Sequence, residues 1–315
     1  MSKPNPNSMT TTLMSCLACC SIGVAIIFHV LHRFWKQHRP TKTTKQSTHS
    51  MHTISYGWLL WIFPSIAFSS LWITLIISVH YNYNGVTRII CRGRYFTGNF
   101  FPSISACIGD YYPQRSLWRG AIALHNWVGL CGIVVTYYHY KECLVGTAQC
   151  TNLSRAGCSV VENVGLLVLS MVSSTEHGRL HEIGCLVFVV GHATSMFLTI
   201  LLTKYHIALE QNNTNKTNTR QQLKYSIKAL KYRQVVALVN MVSLFLAAYF
   251  FIASEKGRCS TYGWYSMFAL CEWVYVWSGI AFHVVEQVDL YYVEINWSAA
   301  AVGEKCVCSL VDKKE

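Results

Sequence analysis

Three apolar stretches of this 315-residue chain carry polar side chains eleven residues apart: Glu162 and Ser173, His181 and His192, Glu272 and His283. On a helix, eleven steps return to within about 20° of the starting direction and advance about 16 Å. Each pair therefore shares one face. A further apolar stretch carries Gln114, Arg115 and His125 on a face about 100° wide, with Arg119 one turn beyond Arg115. Ionisable groups are costly in hydrocarbon and turn toward a bundle interior or a water-filled cavity. Arginine grips phosphate, and a His–Glu step beside hydroxyls offers a base for a hydroxyl or ester.

These residues divide by expected role. His181, Glu182, His125, Ser173 and Ser174 are the candidate catalytic groups, with His181 oriented by Glu182 as general base. Gln114, Arg115, Arg119, His192 and Glu272 are the candidate lipid-binding groups, and Glu162 and His283 belong to the polar core. The plainer reading of each residue alone is interhelical hydrogen bonding, and for Arg119 anchoring at the membrane interface. Neither a G-x-S-x-G elbow nor an H-E-x-x-H pair occurs. His125, His181 and His192 have no carboxylate at ligand spacing, so no metal and no cofactor are expected.

The elements that position these groups follow from composition. Hydrophobic residues make up 52% of the chain and charged residues only 13%, against about a quarter charged in soluble domains. Several apolar stretches reach the roughly 20 residues that cross a bilayer. The sequence predicts an all-α, polytopic transmembrane bundle with six core spans: Tyr56–Val79, about Leu117–Tyr138, Ser159–Ser173, Ile183–Thr203, Val235–Ala253 and Tyr262–Val285. The domain reading is an N-terminal segment over 1–55, a membrane domain over 56–290 and a cytosolic tail over 291–315. The apolar run Leu13–Leu31 is open between a seventh span, a signal peptide and a peripheral segment.

Net charge is +12, but the basic residues sit in short loops between apolar runs, where they set orientation rather than bind nucleic acid. Placing the leading segment, second loop, fourth loop and tail in the cytosol gives that side seventeen Lys and Arg, against seven for the lumen. The deepest basic run is the fourth loop, whose polar tract EQNNTNKTNTRQQ is expected to be flexible. Its sequons at Asn212 and Asn215 stay without sugar in this orientation. Cys143, Cys150 and Cys158 fall in a cytosolic loop as reduced thiols, and Cys91 and Cys259 fall in luminal loops, where a disulfide is expected. Depth then sorts the polar groups. Gln114, Arg115, Arg119, Ser173, Ser174, His181 and Glu182 cluster at the luminal ends; His125, His192 and Glu272 lie near mid-membrane, Glu162 and His283 toward the cytosol.

The stretches PSISACIGDYYPQRSLWRGAIALHNW (102–127), SVVENVGLLVLSMVSSTEHGRLHEIGCLVFVVGHATSMFLT (159–199) and LCEWVYVWSGIAFHVVEQVDL (270–290) resemble the post-GPI-attachment-to-proteins factor 2 family. That family belongs with the DRAM autophagy modulators and the N-terminal part of a yeast cell-wall protein. The resemblance spans roughly 55–290 and carries Gln114, Arg115, Arg119, His125, Glu162, Ser173, Ser174, His181, Glu182, His192, Glu272 and His283. The first luminal loop is longer than the family suggests, the N-terminal apolar run is additional, and the yeast relative's soluble C-terminal domain is not expected.

The resemblance implies a Golgi membrane protein, present also in the endoplasmic reticulum, that promotes reacylation of lyso-GPI and so the maturation of GPI-anchored proteins. Membrane lipids and lyso-GPI-anchored proteins would be its partners. Because no nucleophile–base pair is visible, the sequence favours an accessory role beside an acyltransferase over catalysis by the chain itself. A DRAM-like regulator or lipid transporter is the alternative.

Overall fold

Backbone groups in lipid must find their hydrogen bonds internally, so apolar stretches of this length become helices. The computed structural model describes residues 53–91, 94–96, 99–144, 146–212, 217–256, 263–288 and 294–296. The run Leu13–Leu31, Cys259 of the expected disulfide, Asn215 and the tail from 297 lie outside the described residues. Six long helices form: α1 (Tyr56–Val86), then α3 (Gln114–Cys143), α4 (Thr147–Met171), α5 (Ser174–Asn212), α6 (Thr217–Lys256) and α7 (Trp264–Val288). A short helix, α2 (Ile104–Gly109), lies between the first two. Each long helix contains a segment long and apolar enough to span a membrane, and the protein is a polytopic transmembrane helix bundle. Strands β1 (Thr53–Ser55) and β4 (Glu294–Asn296) pair antiparallel, as do β2 (Ile89–Cys91) and β3 (Arg94–Phe96).

Three expectations change. The third span is not short: α4 starts at Thr147, so Cys150 and Cys158 lie on a helix rather than in a loop. Ser173 lies beyond the end of α4 and so is not on the face of Glu162. The polar tract of the fourth loop is largely helical, with α5 running to Asn212 and α6 beginning at Thr217.

The long helices form a ring in which α1, α3, α4, α5, α6 and α7 each pack on the next, and α7 closes against α1. The α4–α5 pair is the tightest. A Cβ added at Gly165 would fall 2.4 Å from the Phe188 backbone nitrogen, and one at Gly191 2.7 Å from that of Glu162. Small residues at such a crossing let backbones approach and compensate for the weak hydrophobic drive between helices in lipid.

Helix α2 touches α1, α3, α5 and α7, so it fills one mouth of the ring. Its chain is fastened by polar groups from α7 and α1. Glu272 Oε2 accepts from Ile104 N at 2.9 Å, Ser266 Oγ from Phe100 N at 2.9 Å, and Pro102 O from Trp273 Nε1 at 3.0 Å. Ser78 Oγ donates to Cys107 O at 3.0 Å. Each bond contributes about 1 kcal/mol net, and stranding one of these buried groups costs about 1–3 kcal/mol. Phe101, Ile104, Cys107 and Ile108 then pack against Leu71, Leu75, Trp118 and Trp273 as the main apolar core.

Candidate functional site

The eleven-residue spacing produces two polar levels rather than one. On α7, Glu272 faces the α2 segment and His283 faces Glu162; on α5, His181 faces α2 and His192 faces Glu162. One helical stripe thus serves two sites about 16 Å apart.

The level next to α2 holds the groups expected to bind phosphate and activate a hydroxyl. Arg115 and Arg119 both pair with Glu176, so the arginines meet a carboxylate of their own chain. Ser173 Oγ accepts from Glu176 N at 3.2 Å, while a carboxylate oxygen of Glu176 accepts from Ser173 N at 3.0 Å. This reciprocal pair is a capping box, which gives Ser173 a structural job at the start of α5. Thr175 donates to Asp110 and closes the turn onto the end of α2. Helical geometry then breaks at His177.

His181 is oriented by the main chain, with Nδ1 2.7 Å from Val172 O and Nε2 3.4 Å from Ser105 Oγ. The expected Glu182 partner is exposed, and among the described residues no hydrogen bond joins it to His181. Ser174 is also exposed. Gln114 is fully buried and donates to Ser78 at 3.4 Å, and Glu272 caps α2. Residues 99–109 therefore occupy the space where a luminal pocket was expected.

The second level is open. A cavity of about 330 Å³ lies between α3, α4 and α7. Its polar wall comprises His125, Arg155, Ser159, Glu162, His283 and Glu286. Leu124 and Trp127, exposed on the flank of α3, form its rim. The lining lies nearer the α3–α4 connection than Arg115 and Arg119 do.

Glu162 organises the wall. Its Oε1 lies 2.7 Å from His192 Nδ1 and 2.9 Å from His283 Nε2, and its Oε2 is buried without a partner among the described residues. The second nitrogen of His283 lies 3.4 Å from Glu286 Oε2, and Arg155 donates to Glu286 Oε1 at 3.3 Å. Arg233 donates to the carbonyls of Val285 and Glu286 and to Thr203, pinning α7 to α5 and α6. A buried carboxylate–imidazole–carboxylate–guanidinium chain can move a proton, stabilise developing charge or ligate a cation.

Arg155 and Glu286 carry no expected role because each falls just outside an expected span, Ser159–Ser173 and Tyr262–Val285, where charge is unremarkable. Their helical phase was the available signal: Arg155 and Glu162 are seven residues apart, and His283 and Glu286 three.

Comparison with known proteins agrees with the architecture. Residues 55–293 match the family described as Frag1/DRAM/Sfk1/Cwh43P N-terminal domain. The chain is 30% identical to a Drosophila melanogaster post-GPI attachment to proteins factor 2 over 197 residues, covering 62% of this chain and 72% of that protein. It is 28% identical to the Caenorhabditis elegans protein of the same name, covering 71% and 81%. It is 26% identical to a Xenopus tropicalis protein named acyltransferase PGAP2, covering 75% and 84%. No solved structure matches.

Proposed function

The chain belongs to the Frag1/DRAM/Sfk1/Cwh43P N-terminal domain family, and from that premise we propose that it is a GPI-anchor lipid-remodelling acyltransferase of the Golgi membrane. One observation carries the assignment of the reaction to a place: the cavity that brings His125, Arg155, Glu162 and His283 together behind the exposed Leu124 and Trp127. The acceptor is lyso-GPI and the donor a membrane phospholipid. Both lipids reach the cavity sideways past Leu124 and Trp127, since α2 fills the luminal mouth.

In the reaction the free glycerol hydroxyl of the acceptor attacks the ester carbonyl carbon of the donor. His125 takes the hydroxyl proton as the new C–O bond forms. The donor's ester C–O bond then breaks, and the proton passes to the departing lysophospholipid oxygen. Arg155, held by Glu286, supplies positive character where the carbonyl oxygen gains charge. In this reading His181 and the Ser173–Glu176 turn position α2 and α5 rather than react.

The test has two arms. Expressed in cells lacking their own remodelling factor, the chain restores surface GPI-anchored protein, and a His125→Ala variant at equal abundance does not. Purified and reconstituted with lyso-GPI and acyl-labelled phosphatidylcholine, it yields labelled diacyl anchor, with His125→Ala slower by about 10²–10⁴-fold. Failure of the first arm removes GPI remodelling in favour of a DRAM-like regulator or lipid transporter. Restoration in cells without product in vitro returns the chain to an accessory role beside a separate acyltransferase.

A further inference from the structure

We propose that Glu162, His192 and His283 bind one divalent transition-metal ion of the zinc class, with an open coordination position facing the cavity. This deepens the acyl-transfer reading and rests on it only for what the ion would do.

The geometry starts from His283. Its two ring nitrogens face two different carboxylates, Glu162 at 2.9 Å and Glu286 at 3.4 Å. A neutral imidazole has a hydrogen for only one of them. Glu286 is itself held by Arg155, which fixes it as the acceptor of the Nδ1 hydrogen. Nε2 meets the Glu162 carboxylate as a hydrogen-bond donor, and with a metal ion in place of that hydrogen its lone pair would face the ion. His192 aims Nδ1 at the same carboxylate oxygen. The three ligand atoms lie within 4.8 Å of one another, and Glu162 Oε2 is buried with no partner among the described residues. Hydrogens on the two ring nitrogens can each be given to Glu162; a divalent ion in their place would engage the same three ligand atoms at once.

The donor set fits zinc chemistry. Two imidazoles and one carboxylate leave a fourth tetrahedral position for water or substrate, the pattern of catalytic zinc. Bond lengths of about 2.0–2.1 Å set ligand–ligand separations of about 3.3 Å, so an ion would draw each ring nitrogen back from the Glu162 oxygen that it now meets at 2.7 or 2.9 Å. Glu286 behind His283, with Arg155 behind Glu286, supplies the outer carboxylate that fixes the tautomer of a ligating histidine. Glu162 and His283 line the cavity, so the open position faces the lipid site. An ion there would polarise the donor's ester carbonyl, while His125 on the same cavity wall handles the proton.

Sequence could not reveal this set, because the three ligands come from three helices and the carboxylate lies 30 residues from one histidine and 121 from the other.

The test measures metal directly. The full-length chain in detergent is loaded with Zn²⁺, desalted and analysed by elemental mass spectrometry. About one zinc per chain is expected, falling at least tenfold in Glu162→Gln and in His192→Gln, while Cys131→Ser retains it. Loading with Co²⁺ gives the intense visible absorption of tetrahedral cobalt, bleached by added Zn²⁺. A monodisperse wild-type chain that retains no more zinc than Glu162→Gln overturns the site. Full acyl-transfer rate after the metal is stripped overturns the ion's part in the reaction and leaves the remodelling reading intact. Stoichiometric zinc in a chain that transfers no acyl group supports the site and counts against the remodelling reading alone.

Discussion

Glu162 Oε1 lies 2.9 Å from His283 Nε2 across 121 residues of sequence, and this contact ties α4 to α7 at the cavity wall. Removing one partner of a buried charge-bearing pair leaves the other uncompensated, at a cost of about 3–5 kcal/mol. Thermal unfolding of the detergent-solubilised chain is expected to show large, separate losses for Glu162→Gln and His283→Ala. The double variant is expected to lose clearly less than the two losses added together, because one contact cannot be removed twice. Additive losses would mean that the two side chains do not interact.

Gly191 immediately precedes His192 on α5, where a Cβ would meet the Glu162 backbone at 2.7–2.9 Å. The obstacle is main chain, so α5 must move away from α4, carrying His192 away from Glu162. Gly191→Ala is expected to destabilise the chain by about 1–3 kcal/mol and to lower acyl transfer and zinc retention together. Gly178→Ala, where added bulk meets nothing within 4 Å, is the matched control. Full activity and full zinc content in Gly191→Ala would show that the α4–α5 spacing does not set the site.

Cys107 lies on α2, outside the spanning segments, with its thiol pushed up chiefly by burial and further by Glu272, against the opposing hydrogen bond to Ser78. The thiolate is the reactive form, so Cys107 stays protonated and slow toward a membrane-permeant maleimide. The exposed Cys150 is expected to label readily, while Cys107 does not. Glu272→Gln weakens the cap on Ile104 N. Labelling of Cys107, read by peptide mass spectrometry, should then rise about tenfold for each 1.4 kcal/mol that the α2 docking loses. Equal rates for Cys107 and Cys150 in the native chain would show that α2 does not fill the mouth of the ring.

Much of this architecture is legible from residues alone, and the part that is not has a physical cause. Apolar length reveals the helices because lipid admits little else, and the eleven-residue spacing reveals which faces of α5 and α7 turn inward. The same spacing does not reveal that the inward faces meet at two levels. That depends on residues 99–109 folding back into the ring, a tertiary event anchored by Ser266 and Glu272 more than 160 residues away. The luminal groups are a different case. Ser173, Ser174, Thr175 and Glu176 spell a capping box, a local signal of which only Ser173 and Ser174 stand among the expected catalytic groups. Recognising it separates Ser173 from catalysis, and the pairing of Glu176 with Arg115 and Arg119 follows only from the fold.

Topology decides which leaflet supplies the cavity. Its lining lies toward the α3–α4 connection, on the same side of the bundle as the α5–α6 connection. The basic residues Lys204, Lys216, Arg220, Lys224, Lys228, Lys231 and Arg233 flank that second connection, and such an excess holds a short loop in the cytosol. The donor phospholipid would then come from the cytosolic leaflet, with the acyl group crossing to the acceptor near His125 at mid-bilayer. Sugar attachment reports this directly, because the transferase works in the lumen. The native sequons at Asn212 and Asn215 are expected to carry no glycan, so that endoglycosidase leaves the mobility of the chain unchanged. A sequon inserted between β2 and β3, in the first luminal loop, is expected to produce an endoglycosidase-sensitive shift. A shift in the unaltered chain would invert the bundle, place the cavity in the luminal leaflet beside the GPI lipid, and move the donor to that leaflet as well.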